Sequence, residues 1–578
     1  MFHHLLKSNA IWQIPDWIKY YQKSNLSSDI IAGLIVGILV IPQSLGYAIL
    51  AGLPPVYGLY ASIVPVMVYA WIGSSSVNAV GAVSVSAVMT SQALVGFHHL
   101  PLLQYIMLAT TLAFLVGIIL TLASILRLGW VTQFISRGVT SGFISGTAIL
   151  IFISQLKHLT GIPIVGKSIL DYAQSFVLNL SSFHLPTLIV GVMVFISLEI
   201  NRLALPKWLG MLSLPKSKIT AICRIFPLIL VAVVILASIQ FHFSQFGIRL
   251  SGSIPSGLPQ FTTPIMTPSI LAQLLPSALL IALISFISSH AVASSLARER
   301  NEHFNANQEL MGLGLANLVG SFFQSFAITG GISRTAINIS AGAKTPLASL
   351  ITVAIMIASL LVLNDVIAPL PYAVLGAIIM SGIIKMVDID TLKYALKFDQ
   401  LEAVTFMVTF IMVLTFGLNI GLVSGILFSF GGLIWNTSRP HIAIVGQVGC
   451  TEHFRNICRH HVIERSDILI IRIDESLFYG NAISVRTFID QALKRQDYQH
   501  LILMLSAVNH IDLTAQEMLI NLNCELGKHD KSLHLSDVKG PVMDIISQTP
   551  VIKELTGKVF LSTADAIKHL HAYDDFCI

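Results

Sequence analysis

Runs of about 20 apolar residues recur from Asp29 to about Trp435, and each is long enough to cross a bilayer as a helix. Only 11% of the 578 residues are charged and the mean hydropathy is +0.78, whereas a soluble globular protein carries about 25% charged residues. These runs therefore predict an α-helical membrane protein in contact with the lipid bilayer. The net charge of +5 includes no dense basic stripe, which argues against nucleic acid as a partner.

The hydropathy pattern predicts about fourteen spans, several of them shorter or more interrupted than a plain helix. Their approximate positions are 28–50, 55–72, 77–97, 102–126, 131–156, 185–203, 221–241, 269–296, 308–323, 331–342, 346–363, 370–385, 399–417 and 419–437.

Positive charge predicts how these spans are oriented. With the N-terminus inside, the cytoplasmic side receives Arg127, Arg137, Arg202, Lys207, Lys216, Lys218, Arg224, Arg298, Arg300, Lys344, Lys385, Lys393 and Lys397. The opposite side receives only Lys157, Lys167 and Arg249. By the positive-inside rule, both termini are expected in the cytoplasm and the protein in the cell inner membrane.

The composition changes around Ser438-Arg439-Pro440, which predicts a transmembrane domain over 1–437 and a soluble domain over 438–578. Strand-length apolar runs at 468–473 and 501–505 alternate with helical stretches near 485–493 and 514–526, typical of a small α/β domain. Ser562 and Asp565 are spaced as a capping box for a last helix at 563–570. Four of the five cysteines lie in this tail without metal-like spacing, so we expect reduced thiols, no metal and no cofactor.

Two segments are too polar and rich in glycine and small residues for ordinary spans, namely 74–86 and 329–336. If spans 1–7 and 8–14 form two halves, each segment is the third element of its half, the arrangement that marks a transporter's midplane site. A half-helix that begins inside the membrane exposes free N–H groups and the positive end of its dipole, which together favour an anion. Arg334 in the second segment would cost several kcal/mol at membrane depth unless paired or hydrated, so it indicates an anion pathway.

Less specific interpretations of these residues stay open. Ser333 is expected either to cap the second half-helix or to donate to the anion, while Arg334 supplies positive potential or simply pairs with a carbonyl. In the first segment, Ser84 and Ser86 fit small-residue helix packing as well as they fit a site.

Several motifs resemble one family. The segments are IPQSLGYA at 41–48, LAGLPPVYGLY at 50–60, NQEL at 307–310, GLAN at 314–317, GSFF at 320–323, Ser333-Arg334 and AGAKTPL at 341–347. Together they resemble the SulP anion permeases, the sulfate-transporter family that includes prestin and pendrin. The resemblance implies a seven-plus-seven inverted repeat like that of uracil permeases, with core and gate domains, a homodimer, and a C-terminal STAS domain from about 439 to 578. We expect that domain to dock a cytoplasmic protein.

The resemblance also implies an anion site. It comprises Gln43 and Tyr47 of the first span, the backbone near Val83 and Ser84, and Ser333 with Arg334. Chemically, the Gln43 amide can donate and Tyr47 offers a ring edge and a hydroxyl. Without the resemblance, helix packing would explain Gln43 and Tyr47 equally well.

The chain departs from the family pattern at three places. The acid often found in the eighth span is replaced by Ser288, which argues against sodium coupling and leaves Ser288 or Ser289 as hydroxyl donors. His290 is a conceivable proton carrier, although a lone helix histidine is more often structural. Gly81-Ala82 replaces the usual Gly-Pro, and in the tail Leu513 occupies the expected phospho-acceptor position, with Thr514 as a weak substitute.

The sequence therefore predicts a secondary transporter of a small oxyanion, with sulfate as the first candidate and exchange or proton-linked uptake as the coupling. Bicarbonate, chloride or a C4-dicarboxylate are alternative substrates, and a channel-like or voltage-responsive anion protein is an alternative function. No nucleophile–base–acid constellation suggests an enzyme.

Overall fold

The computed structural model describes residues 15–97, 99–164, 166, 168–211, 215–251, 257–362, 368–449 and 451–570. The chain divides into two compact units, Met1–Ser429 and Phe430–Ile578. The domain boundary proposed between residues 437 and 438 lies at the end of the helix Leu418–Ser438 and stays a prediction.

The described part of the first unit consists of helices and connecting segments, with two very short strands. Its helices are α1 (Asp16–Lys19), α2 (Leu26–Leu50), α3 (Val56–Tyr60), α4 (Val64–Ile72), α5 (Ser84–Ala93), α6 (Leu102–Ile125), α7 (Arg137–Thr160), α8 (Ile169–Leu178), α9 (Leu185–Leu203), α10 (Leu205–Met211), α11 (Lys216–Gln240), α12 (Pro268–Arg300), α13 (Ala306–Ser321), α14 (Ile332–Ser340), α15 (Leu347–Val362), α16 (Tyr372–Ile383), α17 (Ile389–Phe398), α18 (Gln400–Phe416) and α19 (Leu418–Ser438), the last of which continues into the second unit. The strands are β1 (Val80–Gly81) and β2 (Thr329–Gly330).

Several of these helices suit a bilayer. Among the described residues, six helices are long and apolar enough to cross it, and five more apolar stretches are shorter. The expected span at 55–72 is divided into α3 and α4, so neither helix alone has the length of a span. The number of spans, about fourteen, and the inverted repeat stay predictions.

The two unusual segments are broken helices, as their composition indicates. The expected span at 77–97 holds the short strand β1 followed by the short helix α5. The expected span at 331–342 holds the short helix α14, and the strand β2 lies directly before it. β1 and β2 pair antiparallel, with Val80 opposite Gly330 and Gly81 opposite Thr329. This pairing satisfies backbone groups that a broken helix would otherwise leave unbonded at membrane depth.

A buried acid ties the start of the first span to the loop that follows α14. Asp29 is fully buried and accepts hydrogen bonds from the Lys344 and Thr345 amides at 2.7 and 3.1 Å and from the Thr345 hydroxyl at 2.7 Å. Because these partners lie just after α14, the contacts fix the position of that half-helix relative to α2.

The second unit is an α/β domain. Its strands are β3 (Ile442–Gln447), β4 (Phe454–Asn456), β5 (Ile468–Ile473), β6 (His500–Met504), β7 (Ser532–Ser536) and β8 (Val559–Phe560), and its helices are α20 (Ala482–Leu493), α21 (Leu513–Lys528), α22 (Gly540–Ile546), α23 (Pro550–Lys553) and α24 (Thr563–Leu570). The sheet order is β4-β3-β5-β6-β7-β8, with β5 to β8 parallel. The alternation of strands and helices predicted for the tail is confirmed, and the Ser562 hydroxyl accepts from the Asp565 amide at 3.1 Å, as half of the expected capping box.

Candidate functional site

The two half-helices begin next to each other. The first intrahelical bond of α5 runs from the Ala87 amide to the Val83 carbonyl, and that of α14 from the Thr335 amide to the Gly331 carbonyl. The amides of each first turn therefore have no partner within their own helix. A Cβ added at Gly331 would lie 3.2 Å from a Val83 methyl group, so the two N-terminal ends are in contact. Their dipoles and free amides together favour a negative charge at this point.

Arg334 crosses from α14 to the other broken segment. Its Nη2 donates to the Ala82 carbonyl at 3.0 Å and to the Ser44 hydroxyl at 3.2 Å. Its Nη1 donates to the Val80 carbonyl at 3.3 Å, and the side chain is only 4% exposed. Arg334 thus makes the hydrogen bonds to carbonyls that its simpler interpretation predicts. All of these partners are neutral, and no described carboxylate lies within ion-pair distance, so the positive charge is held in place without being neutralised.

Gly81 makes room for this arrangement. Its φ of 149° lies in the region that favours glycine, and an added Cβ would collide with Nη1 of Arg334. The glycine in 81–82 therefore serves the close approach of the guanidinium, in addition to breaking the helix.

Gln43 and Tyr47 lie on the same helix as Ser44, the arginine's partner. The Tyr47 phenol is half-buried and close enough to Arg334 for a direct electrostatic interaction. Gln43 lines a cavity of about 250 Å³, here called the Gln43 cavity, together with Ile337 of α14 and Arg202 of α9. Two of the expected residues, Gln43 and Tyr47, thus flank the arginine's partner Ser44 on α2.

The remaining expected residues, which are Val83, Ser84, Ser288 and Ser333, have different surroundings. Val83 is the N-cap residue of α5, and the buried Ser84 directs its hydroxyl to the sulfur of Met386 at 3.9 Å. Ser288 is half-buried, and no hydrogen bond among the described residues joins it to Arg334. The side chain of Ser333 lies outside the described residues, so its proposed role stays a prediction.

The sequence interpretation gave Glu309 no role, although NQEL at 307–310 contributed to the resemblance. Glu309 is fully buried in α13. Four neutral groups donate to its carboxylate, namely the Tyr69 hydroxyl at 2.8 Å, the Ser74 hydroxyl at 2.7 Å, the Asn78 amide at 3.2 Å and the Ser289 hydroxyl at 2.5 Å. Ser289 is therefore occupied by this network. An acid within an apolar helix was the signal that could have identified it.

The Glu309 network reaches α14 through one side chain. Asn78 donates to the carboxylate and accepts from the Thr335 hydroxyl at 3.0 Å, and that hydroxyl in turn accepts from the Ala79 amide at 2.9 Å. Thr335 follows Arg334 directly, so the network holds the arginine's helix against the first broken segment.

In the tail, Leu513 is the first residue of α21 and is 71% exposed, with Asp512 as the cap that accepts from the Ala515 amide at 2.9 Å. Asp474 follows β5 directly and accepts from Arg472 at 2.6 Å and from His441 at 2.7 Å. Burial alone would raise its pKa, but these hydrogen bonds and charges hold the pKa below its usual value. Asp474 therefore joins two strands electrostatically.

The fold and the site together define a polytopic membrane protein with an anion-favouring centre between two broken helices, followed by an α/β domain. The sequence profile of the sulfate permease family matches residues 26–409, and that of the STAS domain matches residues 461–566. The chain belongs to the sulfate permease family.

Relatives with assigned names share most of the chain. It is 34% identical to sulfate transporter 4.1, chloroplastic, of Arabidopsis thaliana, over 96% of this chain and 81% of the relative. It is 29% identical to a probable sulfate transporter of Mycobacterium tuberculosis, over 95% of this chain and 96% of the relative.

Solved structures share the fold. The overall structure of SLC26A9 superposes with a TM-score of 0.88 at 23% identity, covering 98% of this chain and 93% of that one. The transmembrane domain of the cyanobacterial bicarbonate transporter BicA has a TM-score of 0.57 at 20% identity and covers 70% of this chain and 98% of that domain. The expected architecture, a helical membrane domain with a C-terminal STAS domain, is thereby confirmed.

Proposed function

We propose that this protein is a secondary transporter of a small inorganic anion, with sulfate as the preferred substrate. The anion binds between the N-terminal ends of α5 and α14, with Gln43, Tyr47, Ser84, Ser333 and the backbone at Val83 as its surroundings, and Ser288 at its edge. Transport proceeds by alternating access, and no bond in the substrate is made or broken.

The neutral environment of Arg334 is the observation that carries this proposal. A buried guanidinium whose hydrogen-bond partners are all uncharged leaves a net positive charge at the meeting point of two helix dipoles. An arriving anion gains from both sources, and a dianion such as sulfate gains most. The names of the relatives favour sulfate. Bicarbonate, chloride and a C4-dicarboxylate would be attracted by the same positive charge.

Ser288 decides which coupling mode we favour. A serine there provides no carboxylate to hold a sodium ion, so we favour exchange or proton-linked uptake over sodium symport. We place both termini in the cytoplasm and the protein in the cell inner membrane, as a homodimer whose STAS domain docks a cytoplasmic protein. In that orientation the Gln43 cavity, which Arg202 also lines, is the cytoplasmic entrance.

Uptake of radiolabelled sulfate into proteoliposomes tests the proposal directly. We expect saturable uptake that sodium does not stimulate and that an outward gradient of unlabelled anion or an inward proton gradient accelerates. A panel of bicarbonate, chloride and a C4-dicarboxylate as competitors ranks the substrates. Sodium-dependent bicarbonate uptake without sulfate uptake would overturn both the substrate and the coupling, and large unitary currents in planar bilayers would favour the channel-like alternative.

Replacing Gly81 with alanine is expected to reduce sulfate uptake per folded protein at least about tenfold. The methyl group collides with Arg334, and a φ of 149° strains any residue with a Cβ, at a cost of roughly 1–3 kcal/mol. Gly96→Ala is the matched control, because nothing lies within 4 Å of the added atom. Equal uptake by the two variants would show that the guanidinium does not depend on this close approach.

A further inference from the structure

A second cavity of the first unit lies at the C-terminal end of α2. Its volume is about 430 Å³, and Ile49, Gly52 and Pro54 line one side of it. Lys157, His158 and Arg249 line the other, so three basic residues face one space whose lining includes no acid. We call it the Lys157 cavity.

Two of the three predicted cations of the non-cytoplasmic side converge here, although they are far apart in sequence. Lys157 comes from the last turn of α7 and Arg249 from the segment 249–251. That segment is fixed against the start of α16, because the Tyr372 amide donates to the Arg249 carbonyl at 3.1 Å and the Ser251 amide donates to the Leu370 carbonyl at 2.8 Å. The Tyr372 ring also stacks on His158 at 5.7 Å. The cavity wall is therefore built by backbone pairing and ring stacking.

A simpler explanation covers part of this cluster. Lys157 and His158 stand at the C-terminal end of α7, where a cation complements the helix dipole. Arg249 stands at no helix end, and that explanation does not account for it. Neither the Lys157 nor the Arg249 side chain has a hydrogen bond or an ion pair with any described residue. Two unpaired charges that face the same space attract an anion more strongly than either does alone.

The position of the cavity along α2 connects it with the candidate site. Pro42 and Gln43 line the Gln43 cavity, Ser44 contacts Arg334, and Ile49 lines the Lys157 cavity. Residues 43 and 49 are about 9 Å apart along a helix axis. The two cavities thus lie on opposite sides of the level of Arg334.

We infer that the Lys157 cavity is the outer mouth of the pathway, a recruitment site where Lys157 and Arg249 hold a small oxyanion before it reaches Arg334. This inference rests on the proposed function and names a second anion site within it. The outer site binds weakly and with little selectivity, because its charges are partly open to solvent and therefore screened by salt.

A cysteine reporter tests the inference without requiring transport. Leu102 lines the cavity and is 55% exposed, so Leu102→Cys is treated from outside with an anionic and a cationic methanethiosulfonate of similar size. We expect the anionic reagent to react about tenfold faster than the cationic one, and the ratio of these two rates is the reagent ratio. In the background of Lys157→Gln with Arg249→Gln this ratio falls towards one. The parent chain reports the reactivity of its five native cysteines.

Leu178→Cys is the matched control, because Leu178 is 73% exposed at the end of α8, the helix that follows α7, and does not line the cavity. Its reagent ratio is expected to be unaffected by the double substitution. A ratio near one at residue 102, or a ratio that the double substitution leaves unchanged, overturns the inference.

Transport provides the second readout. In the double variant the KM for sulfate supplied from outside is expected to increase at least about fivefold with kcat nearly unchanged, and the effect to shrink at high salt. The KM for sulfate supplied from inside should stay the same, and an equal increase from both sides contradicts an outer site. If the wild-type protein moves no sulfate, the proposed function fails, and the reagent ratio at residue 102 still decides whether the cavity selects anions.

Discussion

Replacing Arg334 with alanine is expected to abolish transport, with a decrease in sulfate uptake of roughly a hundredfold or more. The substitution removes the one described buried charge at the junction of the half-helices, and a charged hydrogen-bonding contact is worth about 1.5–3 kcal/mol. Since each 1.4 kcal/mol changes affinity about tenfold, loss of the anion contact alone accounts for most of the decrease. The measurement is initial uptake into proteoliposomes, normalised to the amount of monodisperse protein.

Two further variants separate the effect of the positive charge at position 334 from that of the guanidinium's hydrogen-bond geometry and from the loss of a cation elsewhere. Arg334→Lys keeps the charge but cannot reach the Val80 and Ala82 carbonyls with a planar fork, so an intermediate decrease of about tenfold is expected. Lys393→Ala removes an exposed cation of α17 and should leave uptake unchanged. If Arg334→Ala retains about half of the wild-type rate or more, the anion does not bind at this charge.

The sequence predicted the broken segments well because their signals are local. Glycines and small polar residues within apolar surroundings favour an interruption of a helix, and β1, α5, β2 and α14 all begin within the predicted segments 74–86 and 329–336. The tail strands were equally visible, since a buried parallel strand such as β5 is a continuous apolar run. Its predicted range, 468–473, is the observed one.

The partners of Arg334 could not be predicted in the same way. Ser44 comes from the first span and Val80 from the third segment, and only the packing of three elements brings them to one guanidinium. Ser44 immediately follows Gln43 in the predicted motif, yet neighbouring helix positions point in different directions.

Glu309 leads to the second large effect. Replacing it with alanine is expected to lower the melting temperature of the purified protein clearly, on the order of 5 °C or more, and to reduce uptake by the remaining folded protein about tenfold. Each buried donor left without an acceptor costs roughly 1–3 kcal/mol, and Tyr69, Ser74, Asn78 and Ser289 all donate to this carboxylate. Uptake is affected because Asn78 loses the partner that orients it towards Thr335.

Comparison with a neighbouring acid shows whether burial is the cause. Glu302 accepts from the Ser76 hydroxyl at 2.7 Å and pairs with Arg300 at 3.6 Å, but its side chain is 38% exposed. Water can replace these contacts, so Glu302→Ala should change stability by less than about 1 kcal/mol.

Glu309→Gln keeps one acceptor oxygen, and its melting temperature should lie between those of the two alanine variants. Because the network ends on Thr335, a loss of uptake in Glu309→Gln at nearly normal melting temperature would show that it positions Arg334 as well as stabilising the fold. An unchanged melting temperature in Glu309→Ala would mean that the four donors find other acceptors, and the link from α13 to the anion site would then have no energetic basis.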